Sequence, residues 1–425
     1  MPKCSPTDLS SLTLPDLDSI AKETGMIIRE SKKFAASEFL QSLLSAVTTG
    51  KASLNQIASA LGLRMGVSLC KQAMGERFDD ASTAFLTRVA HELIAQPVES
   101  ASSSLDTCIF NRILIEDSSF CPVSGANAQE FPAHGNGKTA TAGVKVDLVY
   151  DLLTAGIASF DLHHATEQDK TLGKDLVDSV RPKDLVLRDM GYFVVSEFAR
   201  IERLGAYWLS RLPSHTGVAL ADGRCLEQLL RSTTEHRLEL DVTISNAGHR
   251  CRLVAVRAES KVTRERRRER RGKSTDPKHL FHTRGWIRDG WHLLLTNIAP
   301  EEASLETLFK IYRMRWDIEI QFRGWKQSTK LDEALGRDTG EDHLMGLILA
   351  AMIHQILGLR LRQHFESFFQ KATLSMEKLF SLVGQFHNAA KRFENIVDFN
   401  PDCRHIRKDK RRRPIPVAVG IAALS

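Results

Sequence analysis

The stretch YRMRWDIEIQFRGWK, Tyr312 to Lys326, sets a periodic apolar pattern beside four polar residues of different chemistry. Its spacing predicts one long helix running from about Glu302 to Lys330. Tyr312, Arg315, Glu319 and Lys326 are separated by three, four and seven residues. At 3.6 residues per turn those steps return to nearly the same angle, so one face would show a phenol, two cations and a carboxylate. Leu308, Ile311, Ile318 and Phe322 fall on the other side, the stripe that enters a core. On spacing alone two readings stay open. The polar face is either a solvated ladder, with Arg315 and Glu319 as an i,i+4 pair worth ~0.3–0.5 kcal/mol, or a face kept for chemistry.

Upstream of this stretch the apolar period is two. Ile113, Leu114 and Ile115 predict a strand that runs into Glu116-Asp117-Ser118-Ser119. Val144, Val146, Leu148 and Tyr150 predict a second, and Ile157, Ser159, Phe160 and Leu162 a third, joined by a link containing Gly156. A helical stretch through Leu172 and Val177 follows, then a strand at Leu185-Val186-Leu187 ending at Asp189. A helix from about Val195 to Leu204 stops at Gly205, and Tyr207 to Leu212 reads as another strand. An antiparallel meander followed by alternating helices and strands is a mixed α/β arrangement. Alternation at Leu238 to Ile244 and at Leu253 to Val256 predicts a β-rich insertion, closed by a strand from Trp291 to Asn297. The insertion holds the densest charge run of the chain, Lys261 to Lys273, expected as a basic loop. A second basic cluster spans Arg404 to Arg413.

Residues 1 to about 105 have helical periodicity. Ser53 followed by Gln56 fits a capping box; Leu54, Ile57, Ala58 and Leu61 form a stripe, and Gly62 is the expected stop. With a second short helix from about Val67 to Met74, this is compatible with a helix-turn-helix, or with an ordinary helical hairpin. The composition, 42% hydrophobic and 26% charged over 425 residues, excludes wholesale disorder. Subtracting 52 acidic from 58 basic residues leaves +6, which permits a nucleic-acid partner without establishing one. Seven scattered cysteines with no C-x-x-C pair argue against a disulfide framework or thiolate zinc site. No apolar run opens the chain, and Leu344 to Leu359 is short of the ~20 residues a bilayer span needs. The expectation is a cytoplasmic protein with no membrane association, and a buried core helix at that segment.

Tyr-x2-Arg-x3-Glu-x6-Lys is complete in this chain and resembles the signature of the insertion-sequence-four family of DDE transposases. LIEDSS around Asp117 and LRDMGYF around Asp189 resemble the strands that supply that family's two aspartates. WHLLLTN, Trp291 to Asn297, looks like the strand before the signature helix. The resemblance covers roughly residues 108 to 360. It implies a ribonuclease H-like mixed-sheet catalytic core interrupted by a β-rich insertion, with a helical N-terminal domain. The expected limits are 1–105 for the helical domain and possible DNA-end binding, 106–212 and 300–365 for the two parts of the core, 213–299 for the insertion, and 366–425 for a helical region and basic tail.

The resemblance further implies a bacterial-type transposase that cuts DNA at transposon ends and joins the 3′ hydroxyl to target DNA. Asp117, Asp189 and Glu319 are its expected catalytic metal ligands, holding two Mg2+ ions for which Mn2+ substitutes. Hard divalent cations prefer such oxygen donors. Among rival carboxylates, Glu116 alternates with Asp117 and would point to the opposite face. Asp184 opens its strand at the wrong end, and Asp147, Asp151 and Asp161 read as exposed-face residues. Tyr312, Arg315 and Lys326 are expected to grip DNA phosphates. Arg266, Arg267, Arg268, Arg270 and Arg271 would do so too, unless their run is merely solvated. Trp291 would stack on an extruded base or simply close the insertion. The implied partners are DNA terminal inverted repeats and target DNA, with a homodimer on paired ends. A nuclease that cuts without joining, and a DNA-binding protein with a vestigial triad, are the remaining alternatives.

Overall fold

The structure, a computed structural model, describes residues 14–29, 34–96, 109–134, 141–168, 171, 176–244, 247–272, 283–336 and 340–368. The N-terminal helices are α1 (Leu17–Glu23), α2 (Ala36–Thr49), α3 (Leu54–Met65), α4 (Lys71–Gly75) and α5 (Asp80–Ala95). Strands β1 (Arg112–Val123), β2 (Ala142–Asp151), β3 (Gly156–His164) and β4 (Asp184–Arg188) lead to α6 (Val195–Arg203) and β5 (Tyr207–Arg211). Then come β6 (Val218–Leu220), α7 (Leu226–Ser232), β7 (Arg237–Ile244), β8 (His249–Arg257), α8 (Ser260–Gly272), α9 (Arg284–Arg288) and β9 (Trp291–Thr296). The described chain ends with α10 (Leu305–Arg313), α11 (Trp316–Ser328), α12 (Leu331–Leu335) and α13 (Glu341–Phe368). The basic cluster Arg404 to Arg413, Leu172 and Lys273 lie outside the described residues.

The chain divides into two compact units. The first comprises residues 1–104, 118–167 and 317–425. Its centre is α13, which packs on α2, α5 and β3. Leu347, Ile348, Ala350 and Ile353 are fully buried there, and each large aliphatic contributes about 1.5–3 kcal/mol. By length and composition Glu341–Gln363 would cross a membrane, but nearly all of it is buried inside the protein. His354 is fully buried in the same helix, and burial holds its pKa down at about 4, so it is neutral.

The capping box of α3 forms as its sequence predicts, with Ser53 and Gln56 capping each other's backbone. The helix does not stop at Gly62, however. It continues to Met65 and ends at Gly66, whose φ of 67° suits a residue without a Cβ. Gly62 serves a different purpose: a Cβ there would lie 2.6 Å from the Val67 carbonyl oxygen, so glycine lets the chain double back. The following helix accordingly starts only at Lys71.

The second unit comprises residues 105–117 and 168–316. Its strands lie in the order β1-β4-β5-β9-β8-β7-β6. β4 is parallel to both β1 and β5, and β9 is antiparallel to both β5 and β8. The insertion strands therefore extend the core sheet. All five residues of β4 are buried, the near-continuous apolar reading of a strand covered on both faces. Strand β1 passes from one unit to the other; beyond residue 117 it belongs with β2 and β3, an antiparallel hairpin with Leu148 opposite Phe160. With β1, β4 and β5 parallel and β9 antiparallel, the sheet of the second unit is mixed, and helices lie between its strands in sequence, the α/β arrangement that the alternation predicts.

Three elements differ from the sequence expectation. The long helix is two helices, broken at Met314 and Arg315. There Met314 N–H bonds the Ile311 carbonyl and Arg315 N–H the Tyr312 carbonyl, three-residue steps that end α10 before α11 begins. The basic run is a helix, α8, not a loop. Strand β1 continues six residues beyond Asp117, to Val123. Asp117 is therefore inside a strand, just past the point where β4 ends beside it.

Candidate active site

The site is built from strand register. Ile113 pairs with Leu185 and Ile115 with Leu187 on parallel β1 and β4. Side chains alternate between faces, so two residues further Asp117 stands beside Asp189 on the face of Ile115 and Leu187. Asp189 retains an extended backbone, with φ −79° and ψ 171°. The intervening row occupies the other face. Glu116 and Arg188 are buried there, 3.3 Å apart, and Arg188 also donates to the Tyr192 carbonyl. This pair explains why Glu116 and Asp117 have separate roles despite being neighbours.

The other carboxylates are accounted for locally. Asp184 is fully buried at the opposite end of β4 and takes a two-pronged bond from Arg112. Asp151 accepts from Leu153 N–H and the Thr154 hydroxyl in the β2–β3 turn. Asp147 and Asp151 are buried, not on an exposed face as their sequence context suggests; only Asp161 is exposed.

Tyr312, on the last turn of α10, lies over the end of β4, its hydroxyl 3.5 Å from the Arg188 carbonyl oxygen. Burial first, and then the charge of Asp189, push its phenol up to about 12. Arg315 and Arg211 act in the opposite direction on the same phenol, which places both guanidinium groups in its vicinity. The second unit thus gathers Asp117, Asp189, Tyr312, Arg315 and Arg211 at one end of its parallel strands. Arg211 was not anticipated from sequence; its position at the end of a strand next to the Asp189 strand is the available signal.

Glu319 and Lys326 belong to the first unit, both half-buried on α11. Seven residues apart, they share a face of that helix. Lys326 Nζ donates to the Phe120 carbonyl at 2.8 Å. The apolar side is as expected: Ile318, Phe322 and Trp325 are buried.

The arginines of α8 divide into two groups. Arg270 makes a two-pronged bond of 2.8 Å on each arm to Asp289, and a Cβ at Gly285 would collide with its guanidinium. Arg266 donates to the carbonyls of Asp289 and Trp291, and Arg267 to that of Trp286. Arg267 and Arg271 lie over the Trp286 ring, 4.8 and 5.1 Å from its centre. Arg268 and Arg264 are exposed. Trp291 is 3% exposed, with Arg257 4.5 Å above its ring.

An Asp pair supplies the hard oxygen donors that suit magnesium, which is usually held by one or two carboxylates with water and phosphate. Among the described residues, no group of three or more His, Cys, Asp or Glu side chains is close enough to hold a metal ion.

Residues 110–353 match the family model described as "Transposase DDE domain", more than half of the chain. The chain belongs to the DDE transposase family. The transposase is 28% identical to the transposase of insertion sequence element IS231C from Bacillus thuringiensis subsp. berliner, over 83% of this chain and 79% of that one. It is 22% identical to the transposase of IS1151 from Clostridium perfringens, over 76% and 73%. A solved structure of the piggyBac transposase synaptic complex with hairpin DNA aligns over 91% of this chain and 81% of that one, at 10% identity and a TM-score of 0.44. DDE transposases act on DNA and generally use divalent metal ions.

Proposed function

We propose that the transposase cuts DNA at the ends of an insertion sequence of the insertion-sequence-four type and transfers the freed 3′ hydroxyl to target DNA. The observation that carries this reading is the register that sets Asp117 beside Asp189, in a chain whose matched region also contains the complete Tyr312, Arg315, Glu319, Lys326 signature. Asp117, Asp189 and Glu319 would hold two Mg2+ ions, which supply polarisation of the attacking oxygen and stabilisation of the leaving oxygen when bound. Asp117 and Asp189 are held in place by the strands beneath them, so the donors are preorganised.

Tyr312, kept protonated, donates to a phosphate oxygen. Arg315 contributes a planar fork of N–H groups to the same strand. Lys326 exchanges its bond to the Phe120 carbonyl for one to phosphate. Arg268 and Arg264 meet the DNA backbone from the exposed side of α8, while Arg266, Arg267 and Arg270 hold that helix to the protein. In each step a phosphorus–oxygen bond forms to water or to a DNA 3′ hydroxyl as the bond to the leaving 3′ oxygen breaks. The partners are terminal inverted repeats and target DNA, with two copies of the chain on paired ends.

Purified protein incubated with duplexes carrying the element's own ends, in Mg2+, is expected to yield both cut ends and joined products. Glu319→Gln is expected to lower both by on the order of 10^3-fold, the several kcal/mol that metal chemistry supplies. Cutting without joined product would make the protein a nuclease, and binding without cutting a vestigial transposase.

A further inference from the structure

The row that begins with Asp117 and Asp189 continues across the second unit. Arg188 is registered with Ser210 on β5, so one residue further Arg211 stands beside Asp189 on the same face. Arg211 is in turn registered with Leu294 on β9, and His292, two residues before Leu294, returns to that face. Arg266 reaches the imidazole from α8: its Nη2 lies 3.1 Å from His292 Nδ1. A guanidinium has only donors, so Nδ1 accepts and the imidazole proton is on Nε2. Arg313, exposed on the last turn of α10, a helix that packs on β5, adds positive charge that acts on His292.

The cations of this group outnumber the carboxylates near them: Asp189 stands beside Arg211, and the charge of Asp289 acts on Arg266. Arg211 and Arg313 have no ion pair among the described residues. Arg266 is half-buried and its pKa is lowered, first by burial and then by Arg211. Burial, then Arg266, Arg211 and Arg313, hold His292 down at about 4, so it is uncharged at neutral pH. Three guanidinium groups around a neutral donor leave an excess of positive charge that favours a further anion.

We infer that Arg211, Arg313 and His292, with Arg266 orienting the imidazole, form a phosphate subsite adjoining Asp189 that takes a backbone phosphodiester of the DNA strand next to the one being cut. The inference rests on the transposase reading above and adds residues to its substrate contacts. Guanidinium forks suit phosphate oxygens, and the Nε2 proton of His292 supplies one further hydrogen bond. A neutral donor brings geometry without adding charge, so its contribution does not respond to salt.

The test is equilibrium binding of full-length protein to a fluorescent duplex bearing the element's end, in EDTA, across a salt series. Arg211→Gln and Arg313→Gln are each expected to weaken binding about tenfold and to reduce the slope of log affinity against log salt by about one. His292→Phe is expected to weaken binding about fivefold with the slope unchanged, and His292→Gln, which retains an N–H donor, to stay within about twofold of wild type. Arg313 is exposed, so its variant does not depend on the core; thermal melts establish folding of the others. The subsite is overturned if wild type binds its ends and both arginine variants match it in affinity and slope. It is equally overturned if His292→Phe lowers the slope as an arginine variant should. A wild type that fails to bind DNA overturns the transposase reading itself, a different outcome.

Discussion

Glu116 and Arg188 sit one residue before Asp117 and Asp189 on the same two strands, and the two rows have opposite fates. On one face the side chains of Glu116 and Arg188 are 1% and 0% exposed, and their charges cancel at 3.3 Å inside the protein. On the other, two half-buried carboxylates lie side by side, with Tyr312 and Arg211 close by. The period-two alternation of a strand allows this: a structural pair and a chemical pair can occupy adjacent residues without touching. The buried row also fixes the separation of β1 and β4 at the level where the aspartates emerge.

The largest expected effect comes from breaking the buried row. Arg188→Met leaves Glu116 buried beside an apolar chain and should cost about 3–5 kcal/mol of stability, measured by denaturant unfolding. Replacing both, Glu116→Leu with Arg188→Met, should recover most of that loss, since an apolar pair needs no compensation. Asp117→Asn, one residue away, should stay within about 0.5 kcal/mol of wild type. Equal losses for Arg188→Met and Asp117→Asn would show that the two rows do not differ as described.

A smaller effect reads the charge on the outer row directly. The Tyr312 phenol titrates at about 12, pushed up by burial and then by Asp189. Asp189→Asn should bring its midpoint down by about one pH unit, followed by tyrosinate absorbance with Tyr312→Phe as the blank. Burial remains in that variant, so the midpoint should not return fully to the ordinary value. Glu116→Gln, whose charge is already cancelled, should leave it unchanged. The sign for stability follows from the raised value. Between the ordinary pKa of 10 and about 12, the unfolded chain loses this proton and the folded one keeps it. The stabilisation from the protonated phenol is therefore complete below pH 10 and fades as pH climbs through that window.

The split between Glu116 and Asp117 was legible from the sequence because strand alternation is local, whereas Arg188 and Arg211, on other strands, were not. Successive strand residues face opposite ways, so Glu116 must point away from Asp117; burial on both faces, at Ile113, Leu114, Ile115 and Glu116 alike, is a feature of the packing. The helix break at Met314 and Arg315 was not legible. No proline or glycine marks it, and Met314, at φ −68° and ψ −13°, departs only slightly from helical values. The signature spacing therefore suggested a single face where the chain has a helix end, a turn and a new helix. Helix α8 escaped for a different reason. It buries no residue, so it has no apolar stripe to detect. Its attachment comes from Asp289 and Trp286, partners some twenty residues distant that no local pattern announces. Trp291 reads as an aromatic at a strand start in either case, and only the packing of Arg257 over it shows where its ring lies.

The smallest expected effect isolates burial as the origin of the contrast. Arg88 and Glu92 on α5 form an i,i+4 ion pair at 2.8 Å, shorter than the 3.3 Å of Glu116 and Arg188. Distance alone would rank the α5 pair as the stronger. Its side chains are 55% and 37% exposed, however, so water has already solvated both charges and salt screens what attraction remains. Arg88→Ala should therefore cost only about 0.3–0.5 kcal/mol, and less as salt is added. The Arg188→Met loss should change little across the same salt series, because its partner is a charge that ions cannot reach. If the two losses proved similar, or both fell with salt, the buried row would be behaving as a surface pair, and the strand separation beneath the aspartates would need another source.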